Sequence, residues 1–363
     1  MPCIVNKFNE YFSNIGPNSA KLIDPCDGSF TDTISQHYSI NQGMFVSPTD
    51  ESEITNIVHG FKAHKSAGYD SFSPTVIKSV IKGIAQPLTS ICNLSIQVGS
   101  FPDKMKIAKV CPIFKSDDKY EISNYRPISI LPMFSKILEK LLFNRLLSFL
   151  NMHNILTPNQ FGFREKYSTF MALLNLVDRI SDKIDNKEYS IGIFMDLSKA
   201  FDTVDHDILL SKLELYGIRG VALKWFKSYL EHRTQFVQIK NTRSSMLPVI
   251  CGVPQGSILG PLLFIVYIND IIHVSEIADI ILYADDTNIF FSHSSLDTLL
   301  MLVNNELLKI SKWFKLNKLS LNIKKTNYIR FRSKRKTLTD RIINIAIDGI
   351  NILEVQKLNF LAL

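Results

Sequence analysis

Cysteine is scarce and scattered in this chain. The five residues Cys3, Cys26, Cys92, Cys111 and Cys251 are odd in number and form no CxxC pair and no Cys/His cluster. That argues against a disulfide framework and a zinc site and fits a reducing compartment. Long apolar runs are missing too. Ile258 to Ile268 is broken by Gly260 and Pro261 and is too short to span a bilayer. The opening MPCIVNKFNE lacks the basic-then-apolar order of a signal peptide. No internal repeat or low-complexity segment stands out. Acid is absent from Lys309 to Lys336, a stretch that holds eleven Lys and Arg residues.

What is present is ordinary for a globular protein: 363 residues, 46% hydrophobic, 21% charged. The length allows a large core and two or three subdomains. Net charge is +7. The acid-free block suits a polyanionic partner, nucleic acid above all. Trp313, Phe314 and Tyr328 interleave with its charges, where rings can stack on bases. The plainer reading is a solvated helix face.

Residues 1–50 read as a weakly ordered linker carrying one short helix around Phe8, Tyr11, Phe12 and Ile15. Helices are expected from Ser52 toward Phe61, from Pro74 through Ile84, and from Pro87 to Val98. A strand at 106–114 and extended chain from Tyr125 follow, then an amphipathic helix from Ser135. Beyond lie a helix at 169–185, a buried strand at 188–197, helices at 205–216 and 221–230, and a hairpin at 234–250. A Gly-rich loop at 252–257 opens an apolar helix, and a helix at 296–316 and a strand at 328–331 complete the pattern. The mixed order reads as α+β with an antiparallel sheet.

The stretch Ile277 to Ser292, IADIILYADDTNIFFS, organises the rest. Two apolar strand-like runs flank Asp285-Asp286, so a β-hairpin with two carboxylates at its tip is expected. Adjacent anions repel unless a cation is present, and Mg²⁺ typically sits on one or two carboxylates plus phosphates. A solvated turn is the alternative, because Asp is common in turns. Asp196 ends another buried strand. If that strand pairs with the 277–284 strand, Asp196 and Asp285 meet across the sheet. Three convergent carboxylates can hold two Mg²⁺ ions for in-line phosphoryl transfer. For Asp196 alone, a helix cap is the alternative.

Asp196-Leu197-Ser198-Lys199-Ala200-Phe201-Asp202, then Gly252-Val253-Pro254-Gln255-Gly256-Ser257, then Tyr283-Ala284-Asp285-Asp286 occur in the order and rough spacing of a reverse transcriptase. The wording resembles the non-LTR (LINE-like, jockey-type) retrotransposon polymerases. So do KSAGYDSFSP at 65–74, NYRPISILPMFSKILEKLLFNRL at 124–146, QFGFREKYST at 160–169 and LSLNIKKT at 319–326. The resemblance covers about residues 50–361.

It implies a right-hand polymerase fold with fingers (mainly 51–187) and palm (mainly 188–363, with a fingers insertion near 205–250). The palm would end at a primer-grip-like hairpin at Leu358–Leu363, where Ala362 replaces the usual Gly, and the thumb would be missing or incomplete. It implies an RNA-directed DNA polymerase that extends a DNA 3′-hydroxyl on an RNA template with dNTPs and two Mg²⁺ ions, for which Mn²⁺ can substitute. Asp196, Asp285 and Asp286 are the implied catalytic carboxylates, and the Leu197 carbonyl joins them as a metal ligand. Phe201 falls where the family places an aromatic gate under the incoming sugar; read without the family it is a core Phe. Gln255 and Gly256 match the loop that packs on nucleotide and template. Lys115 and Arg126 match cations on the triphosphate, and Lys325, with Lys324 an equal candidate, matches a lysine on leaving pyrophosphate. Asp202 and Asp205 read as structural or capping residues. A truncated, inactive copy that only binds RNA is the alternative, and an RNA-dependent RNA polymerase is a third reading. No membrane association is expected. The basic run Arg332 to Lys336 is an import-like signal for a family that works in cytoplasm and nucleus, and oligomeric state is left open.

Overall fold

The computed structural model describes residues 2–38, 40–332 and 343–357. In chain order the helices are α1 (Pro2–Lys21), α2 (Thr31–His37), α3 (Glu51–Gly60), α4 (Pro74–Val98), α5 (Met133–Met152), α6 (Thr169–Asp185), α7 (His206–Leu215), α8 (Gly220–Leu230), α9 (Leu259–Ile268) and α10 (Leu296–Leu316). The strands are β1 (Ile107–Phe114), β2 (Tyr125–Ile130), β3 (Tyr189–Met195), β4 (Arg233–Ile239), β5 (Thr242–Arg243), β6 (Leu247–Val249), β7 (Asp279–Tyr283), β8 (Asp286–His293), β9 (Asn327–Phe331), β10 (Ala346–Ile347), β11 (Ile350–Asn351) and β12 (Leu353–Glu354). The fold is α+β. Among the described residues no helix is long and apolar enough to cross a membrane.

Two compact units form. The first joins Met1–Lys21, Tyr38–Ile155 and Phe201–Val266; the second joins Leu22–His37, Leu156–Ala200 and Tyr267–Leu363. The chain passes between the units several times, and Phe201–Val266 joins the first unit although the residues on either side of it belong to the second.

The first unit holds a sheet in the order β2-β1-β4-β5, with β6 also on β4. β1 and β4 run parallel, unlike the antiparallel arrangement expected. A long connection separates them, so no tight turn dictates their direction. The first residues are not a weakly ordered linker. Val5, Phe8, Phe12 and Ile15 lie at helical spacing and bury against Ala108, Val110, Leu131 and Val237. Each buried aromatic of this kind contributes about 2–3 kcal/mol, enough to order one helix end to end. Buried Asn9 ties the helix down further: its amide donates to the Ser245 carbonyl at 2.9 Å and accepts from Gln235 at 3.1 Å.

α4 is one helix where two were expected. Pro87 removes one hydrogen bond, yet the buried stripe Ile77, Ile81, Ala85, Leu88, Cys92 and Ile96 passes straight through it. A continuous apolar face outweighs one lost bond. Gly99, left-handed at φ 69°, then ends the helix.

The second unit holds the sheet β12-β9-β3-β8-β7, antiparallel except where β12 lies parallel to β9. β3 is buried at six of its seven positions, so both faces are covered. α6 packs on β3 and β7, and α10 on β3 and β8. Phe161, Ala172, Leu176, Phe194, Ile281 and Phe290 form the α6 side of this core. Gly192 lies directly opposite Phe290. A Cβ at 192 would run into the Phe290 ring and press on Phe331 at 3.0 Å. Gly192→Ala is expected to destabilise the protein by about 1–3 kcal/mol, the cost of overpacking, read as a lower urea midpoint with unchanged slope.

Candidate active site

The hairpin that carries the two aspartates is tighter than its sequence indicates. Tyr283 pairs with Asp286, which leaves only Ala284 and Asp285 in the turn. Asp286 already belongs to β8, and Thr287 and Asn288 are buried inside the strand rather than in a polar loop. Thr is β-branched and suits a strand, and the Asn288 amide donates to the Ile281 carbonyl at 3.3 Å. So short a turn needs an unusual backbone. Ala284 supplies it at φ 54°, at a cost of about 1–2 kcal/mol for a residue with a Cβ.

The strand partner also differs. β3 pairs with β8, not with the 277–284 strand. β7 and β8 must be neighbours across a two-residue turn, so β3 takes the free side of β8, whose residues Thr287 to Phe291 are all buried. The last β3–β8 pair is Met195 with Thr287. One step further along that register, Asp196 falls opposite Asp286. Residues directly opposite on antiparallel strands have Cβ atoms about 4.5–5.5 Å apart, on one face.

Asp196 is held from its other side. Its carboxylate accepts from the Asn322 amide at 3.1 Å, and its carbonyl accepts from the Asn322 N–H at 2.8 Å. Ser198 N–H donates to the Ser320 carbonyl at 2.8 Å, and Leu197 bridges Leu321 between these two bonds. In that pattern the N–H and C=O of Leu197 point away from Leu321, toward the β8 edge. No local signal singles out Asn322, although it lies in the LSLNIKKT stretch. Lys324 and Lys325 are both exposed in the turn just after it, and nothing separates them as candidates.

Burial, then the Asp285 charge, then the Asp196 charge push the Asp286 carboxyl up to about 6. The three carboxylates therefore feel one another. Even so, among the described residues no three His, Cys, Asp or Glu side chains form a ready-made metal cluster. The donor set is all oxygen, which suits hard Mg²⁺ or Mn²⁺.

The other candidate residues sit in the first unit. Ile113 pairs with Arg126, and the Lys115 N–H donates to the Asn124 carbonyl at 2.9 Å. By strand alternation Lys115 and Arg126 share one face of the β1–β2 hairpin, and both are exposed. Phe201 is half-buried and stacks on Phe264 at 4.5 Å. The 252–257 loop is tied to this region by Val253 N–H to the Phe201 carbonyl and Gly252 N–H to the Val204 carbonyl, at 2.8 and 2.7 Å. The Gln255 amide donates to both oxygens of Asp202 at 2.8 and 2.7 Å, and the Ser129 N–H donates to the Gln255 carbonyl at 2.7 Å. Gly256, at φ 118°, has no room for a Cβ: the Ser129 carbonyl oxygen would lie 2.5 Å away. Asp205 caps α7 through the Ile208 N–H at 3.0 Å.

One expectation fails outright. Trp313, Phe314 and Tyr328 are 3%, 1% and 2% exposed and belong to the core, so they cannot stack on bases. Trp313 donates instead to the buried Asp270 carboxylate at 2.8 Å. Their spacing on α10 and β9 is that of an apolar face, and the charges between them lie on the other side: Lys312, Lys318, Lys324, Lys325 and Arg332 are exposed. The basic run beyond Arg332 and the Leu358–Leu363 hairpin lie outside the described residues.

The sequence matches the family described as reverse transcriptase (RNA-dependent DNA polymerase) over residues 113–362. The chain belongs to the reverse transcriptase family. Its relatives within that family include three non-LTR retrotransposon proteins of Drosophila melanogaster. The probable RNA-directed DNA polymerase from transposon BS is 31% identical over 89% of this chain and 36% of that protein. The RNA-directed DNA polymerase from mobile element jockey is 34% identical over 67% of the chain and 27% of its own length. The probable polymerase from transposon X-element is 28% identical over 82% and 33%. This reverse transcriptase chain thus spans about a third of the length of the curated relatives it matches.

A raised carboxyl carries a sign. Asp286 binds its proton more tightly in the folded chain, so its charge penalises the fold above about pH 6, and the penalty disappears as pH falls below the ordinary 3.8. Metal-free Asp286→Asn is therefore expected to be more stable than the parent at pH 7.5, by about 1–2 kcal/mol after allowance for solvent screening. The gain should fade between pH 6 and pH 4 in thermal melts.

Proposed function

We propose that the chain is the RNA-directed DNA polymerase part of a non-LTR retrotransposon protein. The second unit acts as the palm and the first supplies the fingers. The reading rests on one observation above the others: β3 and β8 end their pairing at Met195 and Thr287, so that Asp196 and Asp286 follow at the end of two buried central strands, with Asp285 in the adjoining turn. Asp196, Asp285, Asp286 and the Leu197 carbonyl are the groups that would hold two Mg²⁺ ions. Bound there, the ions lower the pKa of the primer 3′-hydroxyl and stabilise charge on the leaving pyrophosphate.

The chain's own residues position and neutralise. The 3′-hydroxyl gives its proton to water, its oxygen attacks the α-phosphorus, the bond from that phosphorus to the bridging oxygen of the β-phosphate breaks, and pyrophosphate leaves. The Arg126 fork and the Lys115 point charge take up triphosphate oxygens. Lys325, or its neighbour Lys324, gives a proton to the pyrophosphate. The Phe201 ring, braced by Phe264, closes the space a 2′-hydroxyl would need. Gln255 and Gly256 pack against nucleotide and template.

The test is primer extension on oligo(dT)-primed poly(rA) with dTTP, with and without Mg²⁺ or Mn²⁺. Metal-dependent extension is expected, and its loss in an Asp285→Asn, Asp286→Asn double variant. Salt-sensitive RNA binding, equal in both proteins and without extension, would reduce the chain to an RNA-binding module. Phe201→Ala is expected to admit ribonucleotides, lowering the preference for dTTP over UTP at least tenfold; unchanged sugar choice would remove Phe201 as the gate.

A further inference from the structure

The Ala284–Asp285 turn does not hold its own shape, and the second unit contains a part that holds it. Gln160 lies in the loop before α6 and is 1% exposed. Its Oε1 accepts from the Ala284 N–H at 3.0 Å and from the Gly162 N–H at 2.8 Å. Its Nε2 lies 3.4 Å from the Ala284 carbonyl oxygen. Two N–H groups converge on one terminal atom, which must therefore be the oxygen; the amide orientation follows from its partners. The main chain adds two bonds. Phe161 N–H donates to the Leu282 carbonyl at 2.8 Å, and Leu282 N–H donates to the Asn159 carbonyl at 2.9 Å. Gly162 completes the contact, because a Cβ there would collide with the Ala284 nitrogen.

We propose that Gln160 is a positioning residue for the polymerase reaction: its buried amide clamps both backbone groups of left-handed Ala284 and so fixes the peptide plane leading into Asp285. The inference rests on the polymerase reading above. Ala284 is in a conformation that a residue with a Cβ leaves unless its neighbours hold it. The Ala284 carbonyl belongs to the same rigid peptide as the Asp285 nitrogen. Releasing it lets the first carboxylate of the pair drift, and a misplacement of about 1 Å in a reacting constellation can cost on the order of a hundredfold in rate.

The test compares the parent with Gln160→Met, which keeps the volume and loses the acceptor, and with Gly162→Ala, which keeps Gln160 and forces the two chains apart. Leu299→Ala, in the buried face of α10, serves as a control of similar melting loss away from the turn. In Gln160→Met, kcat for dTTP incorporation is expected to fall 10- to 100-fold, with the dTTP KM and primer–template affinity within twofold. Hydrogen exchange at the Ala284 amide is expected to quicken at least tenfold, while Leu299→Ala keeps both within threefold. Gly162→Ala should behave like Gln160→Met, and it decides the matter if Gln160→Met does not fold. Parental kcat in the clamp variants, or a loss no greater than in Leu299→Ala, overturns the inference. If the parent itself does not extend primers, the polymerase reading fails separately. Exchange at Ala284 then judges the clamp alone, and unchanged protection in Gln160→Met overturns it.

Discussion

Like-charge repulsion is the constraint on which the second unit depends. Three carboxylates stand at one end of one sheet, and burial makes the Asp286 charge costlier. Nothing in the side chains themselves favours that gathering. The sheet imposes it. β3 is covered on both faces, β8 is buried through its middle, and the two-residue turn that carries Asp285 is held by Gln160. Packing of apolar side chains far from the charges thus supplies the rigidity that keeps the three carboxylates at one end of the sheet.

That rigidity is extended by hydrogen-bonded polar groups that are buried or half-buried. Asn322 braces Asp196 through side chain and backbone, and Gln160 braces Ala284. The first unit uses the same device around the Gly-rich loop. Gln255 is locked onto Asp202. Glu139, fully buried in α5, accepts from the Ile258 and Leu259 N–H groups and from Ser135, so it caps α9 just behind that loop. An anion at a helix N-terminus is favourable, although burial raises this carboxyl above its ordinary range. In each case a loop that must hold one shape is pinned by a side chain from a distant part of the sequence.

Much of this architecture is legible in the amino-acid order. The Asp285-Asp286 hairpin, the Asp196 strand end, the helix at 296–316 and the Gly-rich loop all carry strong local signals, in apolar period, turn residues and glycine. What a linear reading misses is non-local. Pro87 reads as a helix start until the stripe on both sides of it is seen to face one core. In residues 1–21 the apolar period marks a short helix, but its burial partners on β1 and β4 lie far along the chain, so the segment reads as part of a linker. Trp313, Phe314 and Tyr328 read as a stacking surface because a linear sequence interleaves two helix faces that space separates.

By itself the sequence determined the family and named the candidate carboxylates, cations and aromatic, because those identities are local and their order along the chain is specific. Only the tertiary structure decided which strand Asp196 would meet. A one-dimensional pattern marks strands, but their partners follow from competition for buried edges, and here the two-residue turn claimed one edge of β8 for β7 and left the other to β3. The same holds for Gln160 and Asn322, whose roles exist only once the chain has folded back across sequence separations of 124 and 126 to the hairpin turn and to Asp196.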